Sequence, residues 1–166
     1  MTADYNQFGQ NLPKTLELGE AKAKIAKYCA YQERAHGEVK TKLYSYGLNT
    51  NEVDEILAWL ITENYVNEER YANTYTSGKF RIKRWGRVKI RQNLLFKDIS
   101  EYSINGALAT IDEKEYLSTI DKLIEIKVGS IKAPNIFELR HKISRSIIGK
   151  GFESELVWER IKEKVV

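Results

Sequence analysis

The residues of this sequence that could act together chemically form a run of basic side chains with no acid among them. Between residues 79 and 91 the chain carries seven lysines and arginines, interleaved with Phe80, Trp85 and four aliphatic or glycine positions. Clustered positive charge attracts polyanions and acidic protein surfaces, and an aromatic ring adds stacking or anchoring. The candidate residues for contact with a protein partner or DNA are Lys79, Arg81, Lys83, Arg84, Trp85, Arg87, Lys89 and Arg91.

The same run could instead be a solvated helix face beside two core aromatic residues, because exposed charges contribute little to stability. A solvated face usually alternates the sign of its charges, whereas like charges at helical spacing repel one another by a few tenths of a kcal/mol. The uniform sign therefore favours a partner outside the chain.

Three of these cations, Lys83, Arg84 and Arg87, flank a predicted helix break at Trp85-Gly86. We expect them to be dispensable for folding, since the inward-facing positions around the break are assigned to Ile82, Ile90 and Leu94.

Residue patterns typical of catalytic or cofactor sites are missing from the sequence. The two histidines, His36 and His141, have no cysteine or carboxylate at metal-ligand spacing, and there is no glycine-rich phosphate loop or HExxH arrangement. A metal-dependent nuclease would need clustered carboxylates, which the basic middle of the chain lacks. We therefore expect no catalytic residue, no cofactor, no metal and no enzymatic activity.

The composition is that of a soluble globular protein in a reducing compartment. Of the 166 residues, 42% are hydrophobic and 30% are charged, and the formal net charge is +4. The single cysteine, Cys29, excludes an internal disulfide, and no stretch reaches the ~20 apolar residues of a membrane span. We expect a cytoplasmic protein.

Apolar residues recur at helical spacing along the chain, and no segment alternates with the period of a strand. The clearest stripe lies between Val53 and Ile61, after Gly47, which is placed to end one helix in a left-handed cap, and Asn49 or Thr50, which is placed to begin the next. A later helix is predicted from about Glu68 to Arg84, with its inward-facing residues at Tyr71, Ala72, Tyr75 and Ile82.

The helical pattern recurs with a period of about 50 residues. Glu38-Val39-Lys40, Arg87-Val88-Lys89 and Glu138-Leu139-Arg140 follow one another at offsets of 49 and 51 residues. Such a period indicates an array of supersecondary units, each stabilised by its neighbour. The predicted fold is all-α, an elongated tandem array of three three-helix repeats of about 50 residues. The predicted divisions are a flexible N-terminal arm (1–19), repeat 1 (20–66), the basic repeat 2 (67–114) and repeat 3 (115–166).

Several of these segments resemble the RecX regulatory proteins. The resemblance is carried by Asn67-Glu68-Glu69-Arg70-Tyr71-Ala72, by Lys79-Phe80-Arg81 continuing through Arg91, and by Lys97-Asp98-Ile99, where the family usually has Lys-Gly-Ile. The segments Glu38-Val39-Lys40 to Leu43 and Tyr46-Gly47-Leu48 are similar to the first repeat of the family, and Gly151-Phe152 to its third.

The resemblance implies a non-enzymatic modulator of the RecA recombinase that lodges in the groove of the RecA filament on DNA. Family members typically inhibit strand exchange and ATP hydrolysis by the filament, so the resemblance also implies a part in DNA recombination, DNA repair and the SOS response. The expected partner is the RecA filament, with contact to the DNA phosphate backbone inside it as a further possibility.

The main alternative is a helical module that acts directly on DNA. Short three-helix units can place a helix in a groove of the duplex, and the basic run would serve phosphate contact equally well. A DNA module should bind naked DNA with a steep salt dependence, whereas a filament regulator should bind DNA weakly alone and bind clearly once the recombinase is present.

The periodicity predicts a far-ultraviolet circular dichroism spectrum dominated by α-helix with negligible strand, because every periodic segment follows the 3.6-residue repeat. A spectrum dominated by strand would contradict the predicted fold class.

Overall fold

The computed structural model describes residues 15–166, and this part of the chain is all-helical. It contains nine α-helices and no strand, so the predicted fold class is confirmed. The helices are α1 (Leu18–Tyr31), α2 (His36–Ser45), α3 (Thr50–Thr62), α4 (Glu68–Arg81), α5 (Arg87–Phe96), α6 (Glu101–Ala109), α7 (Glu113–Ser130), α8 (Ile136–Ile148) and α9 (Ser154–Lys164).

Most of the predicted N-terminal arm lies outside the described residues, but its last part, residues 15–19, is docked. The N–H of Leu16 donates to the carbonyl oxygen of Tyr46 at 3.0 Å, and the Leu16 side chain packs on the core of α1–α3. Helix α1 begins at Leu18, two residues earlier than predicted. The predicted arm thus contributes an apolar contact at residue 16, and its division from repeat 1 after residue 19 stays a prediction.

The described chain forms two compact units, which divide after Asn67. In the first unit, α1, α2 and α3 enclose an apolar core that includes Ala21, Ile25, Cys29, Val39, Leu43, Leu48, Val53, Ile56, Leu57, Leu60 and Val66. Burial raises the pKa of the Cys29 thiol to about 11, so this cysteine packs as a neutral apolar group.

The second unit, Glu68–Val166, contains the helix triplets α4–α6 and α7–α9. Arg160 of α9 donates two hydrogen bonds to Asp121 of α7, at 2.8 and 2.6 Å. These bonds hold the pKa of Asp121 below its usual value. The finer division of this unit into repeats at residue 114 stays a prediction.

Each triplet joins its second helix to its third through a residue with left-handed backbone geometry. These residues are Gly47, Asp98 and Gly151, with φ angles of +81°, +57° and +92°. The N–H of each donates to the carbonyl oxygen three residues earlier, at 3.0, 3.0 and 2.8 Å. The chain can then reverse within a few residues, which sets the second helix against the third.

Buried apolar residues keep fixed distances from this left-handed residue in all three triplets. They lie eight and four residues before it and one residue after it, as Val39, Leu43 and Leu48, then Ile90, Leu94 and Ile99, then Ile143, Ile147 and Phe152. The two offsets are thus 51 and 53 residues, and not 49 and 51. The predicted register is wrong because it equates Val39 with Val88, which is 41% exposed, whereas the buried equivalent is Ile90.

Helix α4 also differs from its prediction. It ends at Arg81 and not at Arg84, and Ile82 is 78% exposed. The buried stripe instead runs through Ala72, Thr76 and Phe80 in steps of four residues. The assignment of Ile82 to the core was wrong because it passed over a polar residue and an aromatic residue that share a face with Ala72.

The geometry at Asp98 predicts a stabilising substitution. Asp98→Gly should raise the free energy of unfolding by about 0.5 kcal/mol, because a left-handed φ is costly for residues with a Cβ and the gain exceeds the entropy that glycine adds to the unfolded chain. Urea denaturation checks this. The reciprocal Gly47→Ala should destabilise, and a loss of stability in Asp98→Gly would show that the aspartate side chain stabilises the turn.

Candidate functional site: the basic segment

The basic segment, residues 79–91, comprises the end of α4, a five-residue turn at residues 82–86 and the first half of α5. The turn is held by backbone contact with the turn between α8 and α9. The N–H of Gly86 donates to the carbonyl oxygen of Lys150 at 2.9 Å, and the N–H of Val88 donates to that of Gly151 at 3.0 Å. A Cβ at Gly86 would overlap the carbonyl group of Gly151, so glycine is required for this approach.

A buried tyrosine of α7, Tyr116, completes this contact. Its ring lies between Phe80 and Phe152, with centroid distances of 5.6 and 5.1 Å. Its hydroxyl accepts from the Arg87 N–H at 3.0 Å and donates to the Glu153 carboxylate at 2.5 Å. Burial and the hydrogen bond to Glu153 raise the pKa of Tyr116 well above its usual value, so it remains a neutral donor.

Arg87 belongs to the same contact between the two turns, which is the structural joint of this unit. Its guanidinium lies 3.9 Å from the centroid of the Tyr116 ring, and it pairs with Glu113 at 2.5 Å and with Glu153 at 3.7 Å. Arg87 is therefore not a free cation, since its charge is neutralised by two carboxylates of the α7–α9 triplet, and we now expect it to contribute to folding. Tyr116, Glu113 and Glu153 could not be predicted at this place from the sequence, because these residues are distant along the chain from Arg87.

Two further arginines of the segment also have acidic partners within the second unit. Arg81 pairs with Glu115 at 3.3 Å. Arg91 pairs with Glu101 at 2.6 Å and donates to the Asn105 side-chain oxygen at 2.5 Å. These arginines therefore need no partner outside the chain to offset the repulsion between like charges.

Trp85 is half-buried between two lysines. The Lys79 ammonium lies 4.8 Å and the Lys89 ammonium 4.4 Å from the centre of its ring. The backbone N–H of Trp85 also donates to the carbonyl oxygen of Lys79 at 3.0 Å, which closes the turn after α4. Each cation–π contact contributes about 0.5–1 kcal/mol at sites of this exposure.

The first triplet has a similar cation–π contact, in which the cation and the aromatic residue exchange positions. Arg34 and Trp85 each precede the residue before a second helix, and Tyr28 and Lys79 lie six residues earlier. The Arg34 guanidinium lies 3.8 Å from the Tyr28 ring centroid, and its Nε donates to the Tyr28 carbonyl oxygen at 3.4 Å. Trp85 is thus part of a cation–π contact that recurs before the second helix of a triplet, as well as a candidate contact residue.

Lys83 and Arg84 differ from the other cations of the segment. Both are exposed at the turn, and neither makes an ion pair or hydrogen bond with residues 15–166. Arg84 has a left-handed φ of +53°. The eight candidate residues therefore fall into arginines with internal carboxylate partners, a tryptophan held between two lysines, and two cations that face solvent.

The described residues hold no group of three or more His, Cys, Asp or Glu placed to bind a metal ion. Within the same part of the chain, no helix is long and apolar enough to span a membrane.

The two kinds of cation predict opposite results for the same charge reversal. Arg87→Glu should lower the free energy of unfolding by roughly 2 kcal/mol or more, because it places a third carboxylate beside Glu113 and Glu153. Lys83→Glu, the matched control, should change it by no more than about 0.5 kcal/mol. Chemical denaturation of both variants measures the difference, and equal stabilities would show that the Arg87 pairs contribute nothing to folding.

Comparison with known proteins gives one family for this chain. Residues 67–108 match the second three-helix domain of RecX. The regulatory protein RecX of Lactococcus lactis is 30% identical over 152 residues, and that of Bacillus cytotoxicus is 25% identical over 151 residues. Each alignment covers 89% of this chain, but the chain spans only 52% and 56% of the length of these two relatives.

Solved structures give the same result for the fold. The crystal structure of RecX from Lactobacillus salivarius superposes with a TM-score of 0.80 at 25% identity, over 88% of this chain and 95% of the other. A second crystal structure of a regulatory protein RecX gives 0.79 at 25% identity, over 88% and 73%. The helical fold, the matched central domain and these relatives show that the chain belongs to the RecX family of regulatory proteins.

Proposed function

We propose that this chain binds the filament that the RecA recombinase forms on DNA and modulates its activities, with inhibition of strand exchange and ATP hydrolysis as the expected direction. It would act in the cytoplasm, in DNA recombination and repair, as a binding protein without catalysis. The observation that carries the proposal is membership of the RecX family. The chain spans about half the length of the curated relatives it matches, so the activity of a whole RecX protein is part of the proposal.

The contact surface that we propose is a subset of the eight candidate residues. Arg81, Arg87 and Arg91 have carboxylate partners within the second unit, and we assign them to folding. The proposed contact residues are those that have no acidic partner among the described residues, together with the ring that they flank, namely Lys79, Lys83, Arg84, Trp85 and Lys89.

The physical reason is that an unpaired cation can form a new ion pair without first losing an old one. Lys83 and Arg84 are already in solvent, so their charges steer association with acidic surfaces over about a Debye length, ~8 Å at physiological salt. Arg87 would have to leave Glu113 and Glu153 before it could bind a partner. Tryptophan and arginine, the residue types of Trp85 and Arg84, are enriched at protein interfaces.

The experiment measures ATP hydrolysis and strand exchange by RecA on single-stranded DNA while this chain is added. The parent protein should inhibit both, and it should co-sediment with the filament. Lys83→Glu/Lys89→Glu should need at least tenfold more protein for the same inhibition, because like charges placed at a complementary interface cost several kcal/mol.

A matched control reverses two exposed lysines outside the segment, Lys27 on α1 and Lys162 on α9. Lys27→Glu/Lys162→Glu makes the same change in net charge and should inhibit like the parent. If both variants inhibit equally well, the basic segment is not the contact surface. If the parent neither binds nor inhibits the filament but binds naked DNA, the alternative of a direct DNA-binding module is correct.

A further inference from the structure

A small polar cavity of the second unit lies apart from the contacts that hold the basic segment in place. It opens between the end of α4, the turn at residues 82–86 and the α7 helix, and its volume is about 190 Å³. Its polar lining includes Arg81, Arg84, Glu115, Ser118, Thr119 and Lys122.

The charge in this cavity is unbalanced. Three cations, Arg81, Arg84 and Lys122, line it with a single carboxylate, Glu115. Arg81 is paired with Glu115, at 3.3 Å. The side chains of Arg84 and Lys122 are exposed and form no ion pair or hydrogen bond with the described residues, so the cavity carries about two uncompensated positive charges.

The backbone geometry of Arg84 determines where this residue lies. Its φ of +53° lies in the left-handed region, where a residue with a Cβ is disfavoured and glycine is the usual choice. This geometry ends α4, because it lets the backbone N–H of Trp85 donate to the carbonyl oxygen of Lys79 at 3.0 Å. The left-handed turn places Arg84 at the cavity together with Lys122.

We propose that this cavity binds a phosphate group, and that the phosphate is a backbone phosphodiester of DNA. A guanidinium, an ammonium and the Ser118 hydroxyl around one small volume supply several donors, which suit an oxyanion with more than two acceptor oxygens. A solvated, open position at the protein surface also admits a continuous strand. This inference goes beyond binding to the filament, because it assigns a site for DNA that functions without the recombinase.

The experiment follows binding of a fluorescently labelled single-stranded oligonucleotide by anisotropy, in the absence of recombinase, across a range of salt concentrations. Arg84→Ala/Lys122→Ala should lower the affinity roughly tenfold at 0.1 M salt, and it should reduce the slope of log K against log salt by about 1.4, since each lost phosphate contact to a single strand accounts for ~0.7. The control Lys27→Ala/Lys162→Ala removes the same charge from exposed positions on α1 and α9 and should leave both values near those of the parent.

Two single variants separate binding from folding. Arg84→Gly suits the left-handed backbone and should keep or raise the melting temperature while it weakens DNA binding. Glu115→Gln removes the only carboxylate of the cavity and should tighten DNA binding severalfold. Parent-like DNA binding by Arg84→Gly, or equal slopes for the cavity variant and its control, would overturn the proposal.

Competition identifies the source of the oxyanion. At constant ionic strength, inorganic phosphate should displace the oligonucleotide poorly, because it offers one group where a strand offers several. Efficient displacement by inorganic phosphate would assign the cavity to a free phosphate, and efficient displacement by polyglutamate would assign it to an acidic protein segment. Either result would overturn the DNA assignment. Since RecA is absent throughout, failure here leaves the proposed regulation of the filament untouched.

Discussion

The second unit depends on one close approach between two backbone segments. The turn that contains Gly86 lies against the turn that contains Gly151, with two N–H to carbonyl hydrogen bonds and no room for a side chain at Gly86. This contact fixes where α5 begins, and it brings the Arg87 N–H to the hydroxyl of Tyr116. Because the inner side of the turn is occupied by backbone, Lys83 and Arg84 are left on its outer side.

The same constraint divides the basic segment into structural and available charges. Arginines near the joint meet carboxylates of α6, α7 and the α8–α9 turn, at distances that neutralise them within the unit. The two lysines beside Trp85 form cation–π contacts with its ring, and the first triplet forms the equivalent contact between Arg34 and Tyr28. Lys83 and Arg84 in the turn, and Lys122 in the cavity next to it, are exposed and have no acidic partner among the described residues, so both proposals concern that side of the segment.

The helices and their ends could be predicted because they depend on local signals. The left-handed cap at Gly47 and the Asn49 cap of α3 were readable from residue type, and Asn49 indeed accepts a hydrogen bond from the Glu52 N–H at 3.1 Å. The buried face of α4 could not be predicted, because a buried threonine, Thr76, lies where an apolar residue would be expected. The two-residue error in register had a similar cause, since Val88 and Ile90 are both aliphatic and only packing decides which of them is buried.

The candidate site could be located from the sequence, but which of its cations have carboxylate partners within the fold could not be predicted. A run of uniform charge shows where cations concentrate, yet the partners of Arg87 are Glu113 and Glu153, which become its neighbours only through the fold. Tyr116 carried no signal of its own beyond that of another core aromatic residue. Its hydrogen bonds to both sides of the joint depend on the position of α7.

Lysine footprinting tests most directly the claim that the exposed, unpaired cations at the turn and the cavity meet the partner. The chain is acetylated briefly while free and while bound to a RecA filament on DNA, and the modified lysines are quantified by mass spectrometry. The account predicts strong protection of Lys83 and Lys122 on binding, with Lys27 and Lys162 modified equally in both states. Equal modification of Lys83 in the free and bound chain, with protection confined to lysines outside the second unit, would contradict it.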